Sequence, residues 1–422
     1  MHHDSMMHHQ VTIRIPRDES QPGTHQLSTR FVSYPRRIGS VVAYYRPFRV
    51  AFARFCSALI TPFLRVAAHV LFGAPAGRPP RRILIQEGYR LGDILLFSPA
   101  LIHLRRSFPD AELHLLSFTA GAELVSHAHW VDRVVQAKPF WAFELSAWHA
   151  FKEWRETIRA LRRGRYDLAI DFRGDPRGLS LIYFAGIPHR ISFTDFGGGC
   201  FCTRGYRTPA HIDHQMLRCC WLAQQVTGSA VTECDRPTWP PQPEPAEPLA
   251  ADPTKTTLPE ALQQEPVLIH PGTSAGRKLW PAQHFAHVID TLLADGIACM
   301  LIGGRGDAER LNEIHRNLDR KCPILYPTFA QLAGLLASAK CVVCVDSFVQ
   351  HVAWALNVPC VCLYGPGSPL QTAPLAGPVR IVWNNRVLEP PYRSWNRPRP
   401  MTCNQPQTVV DALEAIITPD GT

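Results

Sequence analysis

Strand-like and helix-like segments alternate along this chain from residue 82 onward, and that alternation restricts the fold more than any other feature. Ile83, Leu84 and Ile85 form a short apolar strand signal, followed by a loop and a helix from about Asp93 to Arg106. Glu112 to Leu116 is the next strand, a helix spans about Leu145 to Arg163, and Tyr166 to Phe172 is a further strand. A helix from about His211 to Thr227 closes this half. Residues 235–265 are rich in Pro, Glu, Ala and Thr and poor in large apolar groups, which is linker composition. A second run follows. Its strands are Val267–His270, Ala298–Ile302, Cys341–Val345, Cys360–Tyr364 and Arg380–Trp383, and its helices start near Pro281, Asp307, Phe329 and Phe348. Strands alternating with helices imply a parallel sheet with helices on both faces. The reading is an α/β chain of two doubly wound, Rossmann-like domains, residues 81–234 and 266–422, the second ending in a helix. Two such domains enclose a cleft at the carboxyl ends of their strands, where folds of this kind bind ligands.

Charge is distributed unevenly. Residues 1–80 hold ten arginines, no lysine and only Asp4, Asp18 and Glu19 as acids, a net +7 of the chain's +9. The remainder is close to neutral, so the basicity belongs to an N-terminal extension. Such an extension is either an attraction device for an anionic surface or a tail without a partner. Within it, residues 50–72 are apolar but interrupted by Arg54, Pro62 and Arg65. That pattern argues against a membrane-spanning helix and for an interfacial one, with a helix packed on the globular body as the other reading. No apolar signal region precedes it, which points to the cytoplasm, with peripheral attachment to the cytoplasmic face of the inner membrane. The 13 cysteines are odd in number, and Cys341, Cys344, Cys360 and Cys362 fall in strands, where reduced core thiols are the expectation. Cys341 and Cys344 have zinc-like spacing, but positions three apart on a strand face opposite ways.

Four segments carry chemistry. The first, Arg90 to Leu101, places Gly92 and Asp93 at a strand–loop–helix junction. An acid there caps a helix or, facing a cleft, accepts a proton from a hydroxyl. The second, His270 to Pro281, opens from a strand into a loop of small residues, Thr273 and Ser274, followed by Arg277 and Lys278. Exposed backbone N–H groups and a lysine point charge suit a diphosphate. The third is the glycine turn Gly303 to Asp307. In the fourth, a β-rich strand delivers Asp346 and Ser347 to a helix N-terminus that offers donors to phosphate, with His351 one turn on. The following strand ends in the turn Gly365 to Pro369. Arg173 and Arg177 end another strand and either meet acceptor phosphates or carboxylates or pair with Asp171 or Asp175.

The order of these segments resembles the heptosyltransferase family of the lipopolysaccharide core, glycosyltransferase family 9. Leu91 to Leu101 resembles its L-G-D-x-x-x-x-x-P-x-L element, His270 to Pro281 its H/N-P-G-x-S…K-x-W-P element, and Asp346 to Ser368 its D-S-G-x-x-H…G-V-P…F-G-P-T element. The resemblance covers about residues 82–417. It implies the two-domain GT-B fold, an ADP-heptose or related nucleotide-sugar donor, and inversion at the anomeric carbon. It makes Asp93 the general base, Lys278 a donor-phosphate contact and catalytic partner, and Thr273, Ser274, Asp346, Ser347, His351 and Gly365 donor-site residues. The acceptor expected is an anionic glycolipid, met through Arg173 and Arg177. The chain departs from the pattern at Phe348, Gln350 and Asn357. No D-x-D element is present, so no catalytic metal or other cofactor is expected, and nucleic acid is not an expected partner. Two other readings stand beside this one: a family transferase with a different sugar or a protein acceptor, and a catalytically silent glycan- or nucleotide-binding protein on the same fold.

Overall fold

The computed structural model describes residues 79–88, 90–118, 121–125, 127–138, 146–232, 234–242, 265–392 and 399–417. Residues 1–78, with the segment expected to form an interfacial or packed helix, and most of the 235–265 linker lie outside these.

Two parallel sheets organise the chain. The first contains β1 (Arg82–Gly88), β2 (Glu112–Ser117), β3 (Arg133–Gln136), β4 (Leu168–Asp171), β5 (His189–Phe193) and β6 (Arg204–Tyr206), in the order β3-β2-β1-β4-β5-β6. Its central strand alternates sides: Ile83 and Ile85 enter one core layer and Leu84 the other. Ile83 stands opposite both Leu113 and Leu168, so β1 is apolar because it is covered on both faces. The helices of this half are α1 (Leu91–Ser107), α2 (Gly121–Val125), α3 (Ala147–Gly164), α4 (Pro176–Phe184) and α5 (Gln215–Thr227).

The second sheet has seven strands: β7 (Val267–His270), β8 (Cys299–Ile302), β9 (Ile324–Leu325), β10 (Cys341–Val345), β11 (Cys360–Tyr364), β12 (Val379–Trp383) and β13 (Arg386–Leu388). Their order is β13-β12-β11-β10-β7-β8-β9, with only the β12–β13 pair antiparallel. Its helices are α6 (Ala282–Ala294), α7 (Ala308–Arg316), α8 (Phe329–Ala337), α9 (Phe348–Leu356), α10 (Pro369–Thr372) and α11 (Pro406–Ile417). Cys341 sits in one core layer and Cys344 in the other, so the zinc-like spacing is a strand's alternation. All twelve cysteines among the described residues are free, and no three acid, His or Cys groups there are arranged to hold a metal. No described helix is long and apolar enough to cross a membrane.

In each sheet the strand order reverses once. The reversal falls between β1 and β4 in the first sheet and between β7 and β10 in the second. At such a point neighbouring loops leave the carboxyl edge in opposite directions and open a crevice. One core layer runs from β1 and α1 into β10 and α9, so the two halves share apolar packing.

Helix α1 tolerates Pro99 in its interior by a local repair. Pro99 has no N–H for the carbonyl of Leu95, and the Ser98 hydroxyl donates to that carbonyl instead at 2.7 Å. The same hydroxyl accepts from the backbone N–H of Thr238 at 2.7 Å and so ties the chain that leaves the first half back onto α1.

Candidate active site

Both crevices are lined by charge. In the first half, β1 ends in Glu87 and α1 carries Asp93 in its first turn, while Arg173 follows the adjacent strand β4. Helix α1 begins at Leu91, and the Asp93 carboxylate does not cap it. Its Oδ2 accepts from Arg173 Nη1 at 2.8 Å and its Oδ1 from Gln215 Nε2 at 3.1 Å. The Gln215 amide also donates to Glu87 Oε1 at 3.0 Å, so one amide bridges two carboxyl groups at the N-terminus of α5. Arg173 is steadied from behind, because the buried Arg218 donates to its backbone carbonyl at 2.9 Å. Asp93 is thus aimed by two donors, with part of its surface left open.

Glu87 is 1% exposed, and Glu87 Oε2 has no hydrogen-bond partner. Burial drives its pKa up to about 8, opposed by Arg173 and reinforced by Asp93. Neither Glu87 nor Gln215 emerges from the motifs. The available signal for Glu87 was a lone acid at the end of an apolar strand. Gln215 carries no local signal, since its partners lie more than a hundred residues away in sequence.

In the second half, Lys278 follows β7 and Asp346 follows the adjacent strand β10. Lys278 Nζ and Asp346 Oδ2 are 2.6 Å apart, and both side chains are about 10% exposed. Asp346 therefore neutralises Lys278 rather than capping α9. Ser347 occupies the cap position, and its hydroxyl lies 3.4 Å from Nδ1 of the buried His270. Burial lowers the His270 pKa to about 4.

His351 joins the halves. Its ring is buried and its pKa falls to about 4, mainly through burial, with Asp93 pulling up and Lys278 pushing down. One imidazole thus feels the carboxylate of the first half and the ammonium of the second. The packing is close: a Cβ on Gly92 would lie 2.9 Å from His351 Cδ2, so a side chain there would have to displace the buried ring. Arg90 Nη1 donates to Ser274 Oγ at 3.1 Å, a second contact between the halves, with Thr273 half-buried beside it. His214 Nε2 donates to the carbonyl of Ala373 at 3.0 Å, a third.

Two expectations shift. Arg177 is engaged by Asp175, to which its Nε donates at 2.9 Å, while the same carboxylate caps α4 through the Arg177 N–H. Of the two arginines, only Arg173 reaches the Asp93 cluster. Gly365 has a packing reason of its own, since a Cβ there would meet the Met401 backbone at 2.9 Å. The glycine of that turn that faces the ion pair is Gly367, where a Cβ would lie 2.7 Å from Asp346 Oδ2.

The three departures from the motif are accommodated. Phe348 packs its ring against Phe329 and Trp239, with centroids at 5.7 and 6.2 Å. Gln350 is fully buried, and its amide donates to Tyr364 Oη at 2.8 Å and to the Thr372 carbonyl at 2.9 Å. Asn357 takes the left-handed conformation at the end of α9, φ 57°, which asparagine adopts more readily than most residues.

A separate cavity of about 520 Å³ lies at the opposite edge of the first sheet, lined by Arg82, Glu112, His114 and Arg133 among others. These residues stand at or near the amino ends of their strands, away from Asp93.

Two doubly wound domains that meet along the carboxyl edges of their sheets form the GT-B architecture. The family model for glycosyltransferase family 9 (heptosyltransferase) matches residues 137–398. The chain is 26% identical over 336 residues to lipopolysaccharide heptosyltransferase 2 of Escherichia coli K12, covering 71% of this chain and 87% of the relative. The solved structure of E. coli ADP-heptose lps heptosyltransferase II superposes with a TM-score of 0.59 at 22% identity, over 80% of this chain and 99% of that one. E. coli heptosyltransferase WaaC with ADP gives 0.55 at 20% identity, over 71% and 92%. The protein belongs to glycosyltransferase family 9 and is a transferase of the GT-B fold.

Proposed function

We propose that this transferase moves a heptose, or a closely related sugar, from an ADP-sugar to the core of an anionic glycolipid of the lipopolysaccharide type, with inversion. The observation that carries this reading is the facing of Asp93 and Lys278 through His351. Asp93 takes the proton of the acceptor hydroxyl. That oxygen forms the new bond to the anomeric carbon as the bond from that carbon to the diphosphate breaks. The electron pair leaves with the diphosphate, which Lys278, the N–H groups at the start of α9 and the loop carrying Thr273 and Ser274 receive. Preorganised donors aimed at a departing diphosphate supply electrostatic stabilisation without a metal. Arg173 and Gln215 hold Asp93 in orientation for the proton transfer, and Arg173 is the cation assigned to an incoming anionic acceptor. Support for the donor comes from the relatives: E. coli ADP-heptose lps heptosyltransferase II is named for ADP-heptose, and WaaC was solved with ADP.

The experiment is a donor screen read by product mass, with core glycolipid extracted from a heptose-deficient strain as acceptor. ADP-heptose should add one heptosyl unit and release ADP. Transfer from a different nucleotide sugar in preference to ADP-heptose would replace the donor assignment. Nucleotide binding without product from any donor would favour the silent binding protein.

A further inference from the structure

Five large hydrophobic side chains are more than a third exposed among the described residues, and three of them adjoin: Trp148 at 69%, Phe151 at 50% and Phe184 at 40%. They form a continuous row of rings. Trp148 and Phe151 have centroids 6.4 Å apart, Phe151 and Trp154 5.9 Å, and Trp154 and Phe184 5.2 Å. Helix α3 carries most of the row, and its inner face is anchored by buried Ile158 and Leu161. Trp154 Nε1 donates to Ser180 Oγ of α4 at 3.3 Å, so the row rests on a fixed base.

The outward stripe of α3 reads Trp148, Lys152, Arg155, Arg159, at the i, i+4, i+7, i+11 spacing of one helix face. Phe151 and Arg162 flank it. All six are exposed. The two acids of the helix are answered locally: Glu153 lies 3.5 Å from Lys138 and Glu156 lies 3.9 Å from Lys152. Arg155 and Arg159 have no carboxylate partner among the described residues. A helix face that mixes exposed Trp and Phe with unanswered arginines matches the headgroup zone of an anionic bilayer. Rings enter the acyl boundary there while guanidinium groups meet lipid phosphates. A protein partner would need acids set against the arginines and a pocket for the rings; a bilayer supplies both without shape matching.

Topology places this face usefully. Helix α3 runs back against the strands it connects, so its first turns, with Trp148 and Phe151, lie toward the carboxyl edge that carries Arg173.

We infer that the outward face of α3, with Phe184, is a docking surface for anionic phospholipid membrane. It seats the first half on the bilayer with the crevice edge beside the lipid. The proposed glycolipid acceptor resides in such a membrane, and to that extent the surface serves that reading. Vesicles without the acceptor separate the two, so loss of vesicle binding and loss of transfer are distinct results.

The test uses the full chain in sedimentation with vesicles of phosphatidylglycerol and phosphatidylcholine, and with phosphatidylcholine alone. The wild-type chain should prefer the anionic vesicles. Trp148→Ser with Phe151→Ser, and separately Arg155→Gln with Arg159→Gln, should each weaken that binding by about tenfold or more, each basic residue near an anionic surface contributing on the order of 1 kcal/mol. Melting temperature and ADP binding should stay at wild-type values, since these side chains are exposed. Wild-type binding by both paired variants would overturn the assignment and leave the anchor to residues 1–78. Equal wild-type binding to both vesicle types would also overturn it. So would a wild-type dimer, seen by light scattering, that the aromatic pair of substitutions splits while vesicle binding is unchanged, because the occupant would then be a second copy of the chain.

Discussion

Asp93 has two hydrogen-bond donors and a buried carboxyl neighbour at the end of the preceding strand, and each limits what its carboxylate does. Arg173 and Gln215 fix its orientation, and Glu87 sits behind the same amide with one oxygen unsatisfied. The raised pKa of Glu87 makes a stability prediction whose sign follows from proton counting. Between the ordinary carboxylate value of 4.5 and about 8, the folded chain holds a proton that the unfolded chain releases. Stability contributed at this site therefore falls as pH rises through that window and is level above it. Glu87→Gln removes the fall. Its unfolding free energy relative to wild type should grow by roughly 1–4 kcal/mol from pH 4.5 to pH 8, measured by urea titration. A difference that stays constant with pH would mean that Glu87 is ionised in the fold. At this scale the sequence singles out an acid or lysine where it sits in a motif, as Asp93, Lys278 and Asp346 do. It is silent where a role depends on a partner supplied by topology, as for Glu87 and Gln215. Arg177 shows the converse, a candidate by residue type whose charge its near neighbour Asp175 takes up.

Elements of the fold were legible in proportion to their burial. Strands β1, β7, β10 and β11 are covered on both faces and read as apolar runs. Strands β3, β5 and β6 lie toward the sheet's edges and mix polar with apolar residues, as in Arg133–Gln136 and Arg204–Tyr206, so no run announced them. Helix α4 was lost with them, since its nine residues follow directly on the Arg173 loop. Helix α3 was recognised, but which face it leaves outward depends on its packing against α4. Helix α1 has the opposite character, a proline in its middle that would ordinarily break it. The Ser98 hydroxyl supplies the missing donor to Leu95 and accepts from Thr238, so Ser98→Ala leaves the buried Leu95 carbonyl and the Thr238 N–H without a side-chain partner. Chemical denaturation should show a loss of about 1–3 kcal/mol, and Ser98→Thr should recover part of it. No loss in Ser98→Ala would show that water or a backbone shift replaces the hydroxyl.

At the scale of the molecule, the two sheets are each wound so that their reversal points open toward one groove. Residues after β1 and β4 come from one side, and residues after β7 and β10 from the other. The alternation of elements was enough to read two such sheets from the chain. The contacts that set one against the other were not readable, because Arg90 with Ser274, His214 with Ala373 and Gly92 with His351 join segments more than 150 residues apart in sequence. The central claim is that an acid of one half and a cation of the other act on one transfer. It predicts that they fail differently. Single-turnover transfer with ADP-heptose and core glycolipid, paired with ADP binding by calorimetry, tests this directly. Asp93→Asn should slow the chemical step by about 10²–10⁴ with ADP affinity unchanged, while Lys278→Met should weaken ADP binding as well as slow transfer. Transfer at the wild-type rate in folded Asp93→Asn would contradict the account.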